Sequence, residues 1–486
     1  MSDTALTATY RVQLNKEFRL ADARAIVPYL DRLGVSHLYC SPILAARPGS
    51  THGYDVIDPK RVNPEIGTLE ELRALSQALH ERKMGILLDI VPNHMGVGES
   101  NSYWEDVLTH GLRSRYARWF DVDWEGADNK IVLPVLGDEL DKVIDRDEIT
   151  LDVKEKTPRL RYFDNSWPVD PATLPEELQL AKLDPTAVSD PAVFIRGEDG
   201  HQRLRALLDA QHYRLAFWRR GPTEINYRRF FDVNELAALR QEDPEVFAET
   251  HELILSLVEE GVIDGLRVDH VDGLLDPLGY LERLREEVER RAPPSDGAVF
   301  PIVVEKILSP GEKLRRSWPV QGTTGYEFLN DLEDIFLDRD GYAAIERRYR
   351  SLRRLTSGDF ADVAHAGKVK ILEGALQADV DRLVRRLQPL ANDRSPEPKA
   401  LAKGIVQFIA ALPVYRTYVD GRSATPDPDD VAVLDRAVEV AQKRSNGKAP
   451  VVDLIRSTVL DASSDARLGF VQRLQQTSGP ATAKGV

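Results

Sequence analysis

The 486-residue chain has a single cysteine, Cys40, and no apolar run near the roughly 20 residues needed to cross a bilayer. One cysteine excludes an internal disulfide framework and favours a reducing compartment. The start "MSDTALTATYRVQL" also lacks the basic and apolar regions of a secretory signal. These absences predict a soluble, cytoplasmic protein with no membrane contact, in which Cys40 is a small buried side chain.

Excess positive charge is missing as well. Lysine and arginine together number 64 against 79 acidic residues, for a formal net charge of -15. Because nucleic-acid binding depends on clustered Lys and Arg, we expect no nucleic-acid partner.

The chain instead shows an alternation of strand-like and helical patterns. "TATYRVQL", "VSHLYCSPI" and "MGILLDIVPNH" are typical of buried strands, and the patterns between them are helical. One helical pattern ends at Gly34, and Thr68 with Glu71 forms a capping box at the start of another. Such alternation predicts a parallel sheet, and the chain length favours an α/β fold of the closed (β/α)8 TIM barrel type.

The alternation is interrupted, which predicts inserted subdomains. We expect residues 1–96 to form the first part of the barrel, 97–222 an inserted subdomain, and 223–330 the central part of the barrel. Residues 331–470 are predicted to be a mostly helical insertion, and 471–486 a return to the barrel. Within the insertion, "AIERRYRSLRRL" is typical of a solvated helix face and "SATPDPDD" of a disordered turn.

Charged residues lie inside one strand pattern, "GLRVDHVDGL", residues 265–274. Alternate side chains of a strand share a face, so Arg267 and Asp269 should point the same way. Barrel enzymes carry their catalytic groups at the C-terminal ends of the strands. We therefore expect Arg267 to lower the pKa of Asp269 and keep it ionised, as a nucleophile requires.

A second isolated acid, Glu305, ends the next strand pattern, "PIVVEK". Two carboxylates at adjacent strand ends fit glycosidic chemistry, in which one attacks the anomeric carbon and the other, its pKa raised by the nearby charge, donates a proton. A separation of about 5 to 5.5 Å would predict retention of configuration. Taken alone, these motifs also fit an ordinary Arg–Asp ion pair with a solvent-reaching glutamate.

Four motifs together resemble the α-amylase superfamily of retaining glycoside enzymes, glycoside hydrolase family 13. "DIVPNH", "GLRVDH" and "VVEK" are similar to three of its four signature regions, in order, and "HGYDV" is similar to its loop with an aromatic platform for the sugar. Longer stretches, among them "INYRRFFDVNELAALR" and "GTTGYEFLND", resemble the maltooligosyltrehalose synthases of that superfamily. The narrower resemblance implies that the reducing-end α-1,4 bond of a maltooligosaccharide is converted into an α,α-1,1 bond.

The resemblance also implies residue roles. Asp269 would be the nucleophile and Glu305 the acid/base, while Arg267 orients and ionises Asp269. Tyr54 would stack against the sugar and Asp55 would support it. The further substrate-binding candidates are His52, Asp89, His94, His270 and Lys306.

For several candidates the residues alone leave alternatives open. His94 fits a structural role as well as a sugar contact, and His270 should face away from Asp269 unless the strand has ended. Tyr54 could cap the barrel, and Asp89 could pair with Arg267. Asn93 matches a calcium ligand of some amylases, but no Asp-rich loop accompanies it. We expect no metal and no cofactor.

A transglycosylating site must exclude water from the glycosyl intermediate, which requires a lid. The inserted region supplies aromatic candidates, although large aromatics more often pack in a core. These candidates are Tyr103, Trp104, Tyr213, Trp218, Tyr227 and Phe231.

The resemblance places the superfamily's third carboxylate just beyond "LQQTSGPATAKGV", the end of the chain. We therefore expect a truncated barrel that lacks its last strands and a C-terminal β domain. Its exposed sheet edges and apolar surface predict marginal stability or a complementary C-terminal fragment as a partner. Two other functions stay open: an amylase-like retaining hydrolase and a non-catalytic maltodextrin-binding fragment.

Overall fold

A computed structural model describes residues 5–153, 158–175, 178, 194–293, 299–353, 359–391, 396–423, 425–445 and 450–485. The chain divides into two compact units, residues 1–264 and 265–486. Each unit combines strands and helices.

The first unit contains short strands joined by helices and loops. Its strands are β1 (Thr9–Val12), β2 (His37–Cys40), β3 (Leu44–Ala46), β4 (Val56–Val62), β5 (Gly85–Ile90), β6 (His94–Gly96), β7 (Ile131–Leu136), β8 (Ile149–Asp152), β9 (Arg159–Tyr162), β10 (Asn165–Pro168), β11 (Tyr213–Phe217), β12 (Arg229–Phe230) and β13 (Val233–Ala238). Its helices are α1 (Leu20–Ala25), α2 (Val27–Leu33), α3 (Leu69–His80), α4 (Ser102–His110), α5 (Leu140–Asp145), α6 (Gly197–Asp209), α7 (Gly221–Glu224) and α8 (Pro244–Glu259).

Strands β1, β2 and β5 lie side by side and parallel, with β2 in the middle. Leu38 of β2 is opposite Ile86 of β5, and both side chains are fully buried. Cys40 is likewise buried, opposite Leu88. The apolar runs that predicted β2 and β5 are therefore largely buried, as in a parallel sheet, whereas β1 is exposed except at Val12.

Local signals position the connecting helices. The carboxylate of Glu71 accepts a hydrogen bond from the backbone N–H of Thr68, while the Thr68 hydroxyl accepts from the N–H of Glu71, which confirms the capping box at the start of α3. Helix α2 ends at Gly34, whose φ of 82° is left-handed.

Residues 97–222, predicted as an inserted subdomain, have their own strand pairing. Strands β8, β9 and β10 form an antiparallel sheet, and β7 pairs in parallel with β11. The remaining strands of the unit form two small antiparallel groups, β3 with β4 and β6 with β13 and β12. The predicted domain boundaries stay predictions.

The second unit begins with strands and continues as helices. Its strands are β14 (Gly265–Val268), β15 (Ile302–Val304) and β16 (Gly322–Thr323). Its helices are α9 (Pro277–Arg291), α10 (Tyr326–Ile335), α11 (Arg339–Arg353), α12 (Phe360–Leu372), α13 (Gln377–Leu387), α14 (Pro398–Ala411), α15 (Pro428–Arg444), α16 (Pro450–Leu460) and α17 (Asp465–Gly485). The three strands are parallel, with β15 in the middle.

Helices α12 to α17 share one apolar core, which includes Leu372, Ile405, Phe408, Ile455 and Phe470. The described residues beyond 331 are thus mostly helical, and the predicted insertion of residues 331–470 stays a prediction.

One prediction within this region is wrong. The second half of "SATPDPDD" is not a disordered turn, because Asp427 caps α15 and Pro428 is its first residue. The side chain of Asp430 is 1% exposed and accepts a hydrogen bond from Arg315. An Asp–Pro pair is a strong helix-start signal, and here it outweighs the loop-like composition.

Candidate active site

Two strands of the second unit end at the same level and place two carboxylates side by side. Val268 ends β14 and is opposite Val304, which ends β15. Asp269 follows Val268 along the chain, and Glu305 follows Val304. The backbone N–H of Glu305 donates a hydrogen bond to the carbonyl of Val268, which continues the pairing of the two strands. The parallel register therefore brings both acids to the C-terminal edge of these strands.

The guanidinium of Arg267 contacts both carboxylates. Its Nη1 lies 2.6 Å from Oδ1 of Asp269, and its Nη2 lies 3.6 Å from Oε2 of Glu305. The side chains of Arg267 and Asp269 are buried, while that of Glu305 is 22% exposed. The charged strand is thus explained by an ion pair between Arg267 and Asp269, with a second carboxyl group, that of Glu305, within reach of the same guanidinium.

The backbone of His270 also holds the carboxylate of Glu305. His270 has a left-handed φ of 46°, so the chain turns sharply once β14 has ended. Its N–H donates to Oε2 of Glu305 at 2.7 Å. The strand has therefore ended before His270, and contact of its imidazole with sugar stays a prediction.

Two tyrosines near Glu305 had no role in the sequence interpretation. Burial raises the pKa of Tyr326, and the negative charge of Glu305 raises it further. Burial likewise raises the pKa of Tyr415, with added effects from the charges of Asp272 and Glu305. Both belong to stretches with a family resemblance, but neither stretch has a periodicity that marks its tyrosine as a site residue.

Lys306 supports the segment after Glu305. Its side chain is only 2% exposed, and Nζ lies 3.3 Å from Oδ2 of Asp272 and 2.8 Å from Oε1 of Glu312. The buried guanidinium of Arg416 donates to the carbonyls of Asp272 and Leu274. Lys306 therefore forms buried ion pairs that hold the segment after Glu305. Its predicted role in substrate binding stays a prediction.

In the first unit, a separate group of contacts holds the predicted aromatic platform. The Tyr54 hydroxyl donates to Oδ2 of Asp89 at 2.6 Å and accepts from Nη2 of Arg11 at 3.0 Å. Tyr39 donates to the same Asp89 oxygen at 3.1 Å. Asp89 is buried in β5, so the hydroxyl of Tyr54 is held by a strand of the parallel sheet. The predicted pairing of Asp89 with Arg267 stays a prediction.

The loop around Tyr54 is also held from its backbone. Nδ1 of His52 accepts from the N–H of Tyr54, and Asp55 accepts a hydrogen bond from Ser50. Nε2 of His94 lies 3.1 Å from the Tyr54 carbonyl, and His94 is 1% exposed. These contacts fit the structural interpretation of His94, because its buried imidazole contacts the backbone of Tyr54.

The alternative calcium ligand has protein partners. Asn93 accepts from Nη1 of Arg228 at 2.8 Å and lies 3.2 Å from Nδ1 of His94. Within the described ranges, no group of three or more His, Cys, Asp or Glu side chains is arranged to hold a metal ion. No helix in that part of the chain is long and apolar enough to cross a membrane.

Most of the aromatic lid candidates are core residues. Tyr103, Trp104, Tyr213 and Tyr227 are buried, and Trp104 packs edge-on against Tyr227. Trp218 differs, because 55% of it is exposed. The four buried aromatics therefore fit a packing role. The side chain of Trp218 is accessible to solvent and stays a candidate for the lid.

The chain is similar to known proteins in sequence and in structure. Residues 25–170 match the family "Alpha amylase, catalytic domain". A Mycobacterium tuberculosis (strain H37Rv) relative with a provisional maltooligosyl trehalose synthase assignment is 37% identical over 489 residues, which cover 99% of this chain and 56% of the relative. The solved structure of maltooligosyltrehalose synthase from Arthrobacter ramosus has a TM-score of 0.82 and 38% identity, and covers 99% of this chain and 55% of that one.

A shorter similarity extends to amylases. The intracellular maltogenic amylase of Bacillus subtilis (strain 168) is 42% identical over 94 residues, which cover 19% of this chain and 15% of that protein. The chain therefore spans about half the length of the synthase relatives and only a small part of the amylase.

Proposed function

We propose that this chain supplies the nucleophile and the acid/base of an intramolecular transglycosylation. Its residues 25–170 match an α-amylase catalytic-domain family, and nearly its whole length is similar to maltooligosyltrehalose synthases. The substrate would be a maltooligosaccharide, and the product would carry an α,α-1,1 linkage at its former reducing end. The observation that supports this best is the single Arg267 guanidinium in contact with both Asp269 and Glu305.

The proposed first step cleaves the reducing-end α-1,4 bond. A carboxylate oxygen of Asp269 attacks the anomeric carbon while Glu305 gives its proton to the departing O4 of the terminal glucose. A glycosyl ester on Asp269 and a free glucose result. Arg267 holds the Asp269 carboxylate in place, and the N–H of His270 holds Glu305.

The second step uses the same glucose as the acceptor. After the glucose reorients, its anomeric hydroxyl loses a proton to Glu305 and its O1 attacks the anomeric carbon of the ester. The bond to Asp269 breaks, and the carboxylate is regenerated. Two inversions at the donor's anomeric carbon retain its α configuration, and attack by the α anomer of the glucose makes the new bond α at the second sugar as well. Tyr54, fixed by Asp89 and Arg11, would stack against the reacting sugar.

Incubation of the protein with maltopentaose tests this function. Loss of reducing ends without free glucose or shorter chains supports the transglycosylation. A rise in reducing ends would instead assign the chain to hydrolysis, in which water replaces the glucose acceptor.

The second candidate is a non-catalytic maltodextrin-binding fragment, for which the Tyr54 ring held by Asp89 and Arg11 would suffice. Calorimetry with maltopentaose, run beside the turnover assay, separates the two functions. Binding without conversion supports the fragment and contradicts catalysis by this chain.

A further inference from the structure

The second unit contains a cavity of about 650 Å³ whose lining is rich in basic side chains. It is bounded by residues 310–316, by residues 413–416 and by the first half of α15, from Asp429 to Arg436. We call it the basic cavity. Its volume falls within the range of about 300 to 1,000 Å³ that is usual for small-molecule sites.

A tight turn positions the first of these three segments. The N–H of Glu312 donates to the carbonyl of Ser309, and between them Pro310 is followed by Gly311, whose φ of 83° is left-handed. This order of residues is typical of a type II turn, in which glycine meets the need for a positive φ. The segment that leaves the turn carries the basic residues that line the cavity.

Cations outnumber carboxylates around the basic cavity. The lining carboxylates are Glu312 and Asp429, and the lining cations are Lys313, Arg315, Arg316, Arg416 and Arg436. Some of these charges are already compensated. Glu312 lies 2.8 Å from Nζ of Lys306, and Arg315 lies 2.6 Å from Asp430. Apart from these pairs, four cations face Asp429 alone.

Three of these cations are exposed and have no carboxylate partner among the described residues: Lys313, Arg316 and Arg436. Many other exposed arginines are paired, as Arg73 is with Glu260. Like charges that line one cavity repel each other and attract anions from solution. The local excess of positive charge is notable in a chain whose formal net charge is -15.

The fourth cation, Arg416, is buried and is 1% exposed. Its Nε donates to the carbonyl of Thr417, and its Nη1 donates to the carbonyls of Asp272 and Leu274. Within the described residues it has no ion pair, and Nη2 has no hydrogen-bond partner. A buried cation that contacts only neutral carbonyls keeps an uncompensated charge, which an anion in the cavity would balance.

We infer that the basic cavity binds a small organic phosphate ester. A phosphate group carries up to two negative charges and three acceptor oxygens, so it can contact several basic side chains at once. Arginine matches phosphate geometry with two parallel hydrogen bonds. The cavity is much larger than inorganic phosphate, and the space that remains accommodates the organic part of the ester.

The inference goes beyond the proposed function and does not depend on it. Maltooligosaccharides are uncharged, so a cluster of unpaired cations is not what their recognition requires. Binding of a phosphate ester can therefore be measured without any maltodextrin present.

Calorimetry of the full 486-residue chain tests the inference, with ribose 5-phosphate as the probe. We expect this ester to bind at a single site. Ribose, which has the same sugar without the charge, should give no binding heat. Inorganic phosphate distinguishes an ester site from a site for the free anion, and it should bind at least about tenfold more weakly than the ester.

A matched pair of variants locates the site. Arg316→Gln with Arg436→Gln removes two charges from the basic cavity. Arg347→Gln with Arg348→Gln removes the same charge from exposed positions of α11, outside the cavity. The first variant should bind ribose 5-phosphate at least about tenfold more weakly, and the second should bind it like the unaltered chain. Because all four side chains are exposed, both variants should fold, which circular dichroism checks.

Four results would overturn the inference. The first is no binding of ribose 5-phosphate, and the second is equal affinity for ribose. The third is equal affinity for inorganic phosphate, which would assign the cavity to the free anion. The fourth is the same loss of affinity in both variants, which would make binding an effect of net charge. Binding of the ester by a chain that does not convert maltopentaose would support the inference and contradict the proposed function alone.

Discussion

Arg267 is the residue on which the geometry of the two acids depends, because its planar guanidinium reaches both of them. Lysine is a point charge on a flexible stem and cannot span two carboxylates in this way. We expect Arg267→Lys to lower turnover of maltopentaose by about 100-fold, the usual effect of losing one oriented electrostatic group. Arg290→Lys, on the exposed side of α9, is the matched control and should leave the rate unchanged.

The two carboxylates are expected to respond differently to neutralisation. Asp269→Asn removes the nucleophile and should lower turnover by about 10³-fold or more with any substrate. Glu305→Gln removes the acid and should cost about 10²- to 10⁴-fold with maltopentaose. Because fluoride leaves without protonation, cleavage of α-maltosyl fluoride should survive in Glu305→Gln. Equal loss with both substrates would contradict the acid role of Glu305.

The contribution of Tyr54 can be divided into its ring and its hydroxyl. Tyr54→Phe keeps the ring but loses the bonds to Asp89 and Arg11, each worth about 1 kcal/mol. We expect maltopentaose affinity to fall by less than about tenfold in Tyr54→Phe and by more than that in Tyr54→Ala. Calorimetry in the Asp269→Asn background measures this without turnover. Unchanged affinity in Tyr54→Ala would remove Tyr54 from the binding site.

At the scale of elements, helix α12 carries a lysine whose burial makes stability depend on pH. Burial lowers the pKa of Lys368 from 10.5 to about 8, and its Nζ donates to the carbonyl of Leu412. Between these two pKa values the folded protein binds fewer protons than the unfolded chain. The free energy of unfolding contributed by this group therefore rises with pH across that range.

Replacement of Lys368 by methionine tests this dependence. Between pH 7 and pH 10 the unaltered chain should gain about 2 kcal/mol in free energy of unfolding from Lys368, and the variant should not. The stability of the variant relative to the unaltered chain should therefore fall by that amount over this range. Urea unfolding at both pH values measures the difference. Lys403→Met, an exposed position of α14, should show no such change. A pH-independent difference for Lys368→Met would mean that the folded protein keeps this ammonium charged up to pH 10.

Strands and helices differ in how well sequence predicted them. The strands β2, β5, β14 and β15 were predicted from their apolar residues, because buried strands require such residues. The start of α15 was missed, although Asp427 and Pro428 are a recognisable cap, because the surrounding composition is typical of a loop. The amphipathic patterns of α10 and α11 are those of packed helices, so the patterns do not themselves show that the described side chains of both helices are at least partly exposed.

At the scale of the whole molecule, a maltodextrin that binds the folded chain should stabilise it. In the Asp269→Asn variant, maltopentaose at 100 times its dissociation constant should raise the free energy of unfolding by about 2.7 kcal/mol. Cellopentaose, with β-1,4 bonds, is the control and should have no effect. Thermal unfolding followed by circular dichroism measures both. If maltopentaose leaves the transition unchanged, the chain has no maltodextrin site.

The sequence by itself determined the alternation of strands and helices, the two acids with their arginine, and the resemblance to glycoside enzymes. These features are local, because apolar periodicity, caps and strand-end charges depend on residues close together in the chain. Only the tertiary structure decided that Arg267 reaches both acids, that the His270 backbone holds Glu305, and that Tyr326 and Tyr415 lie near it. Those relations depend on strand register and on a left-handed turn, which bring together groups that no local pattern connects.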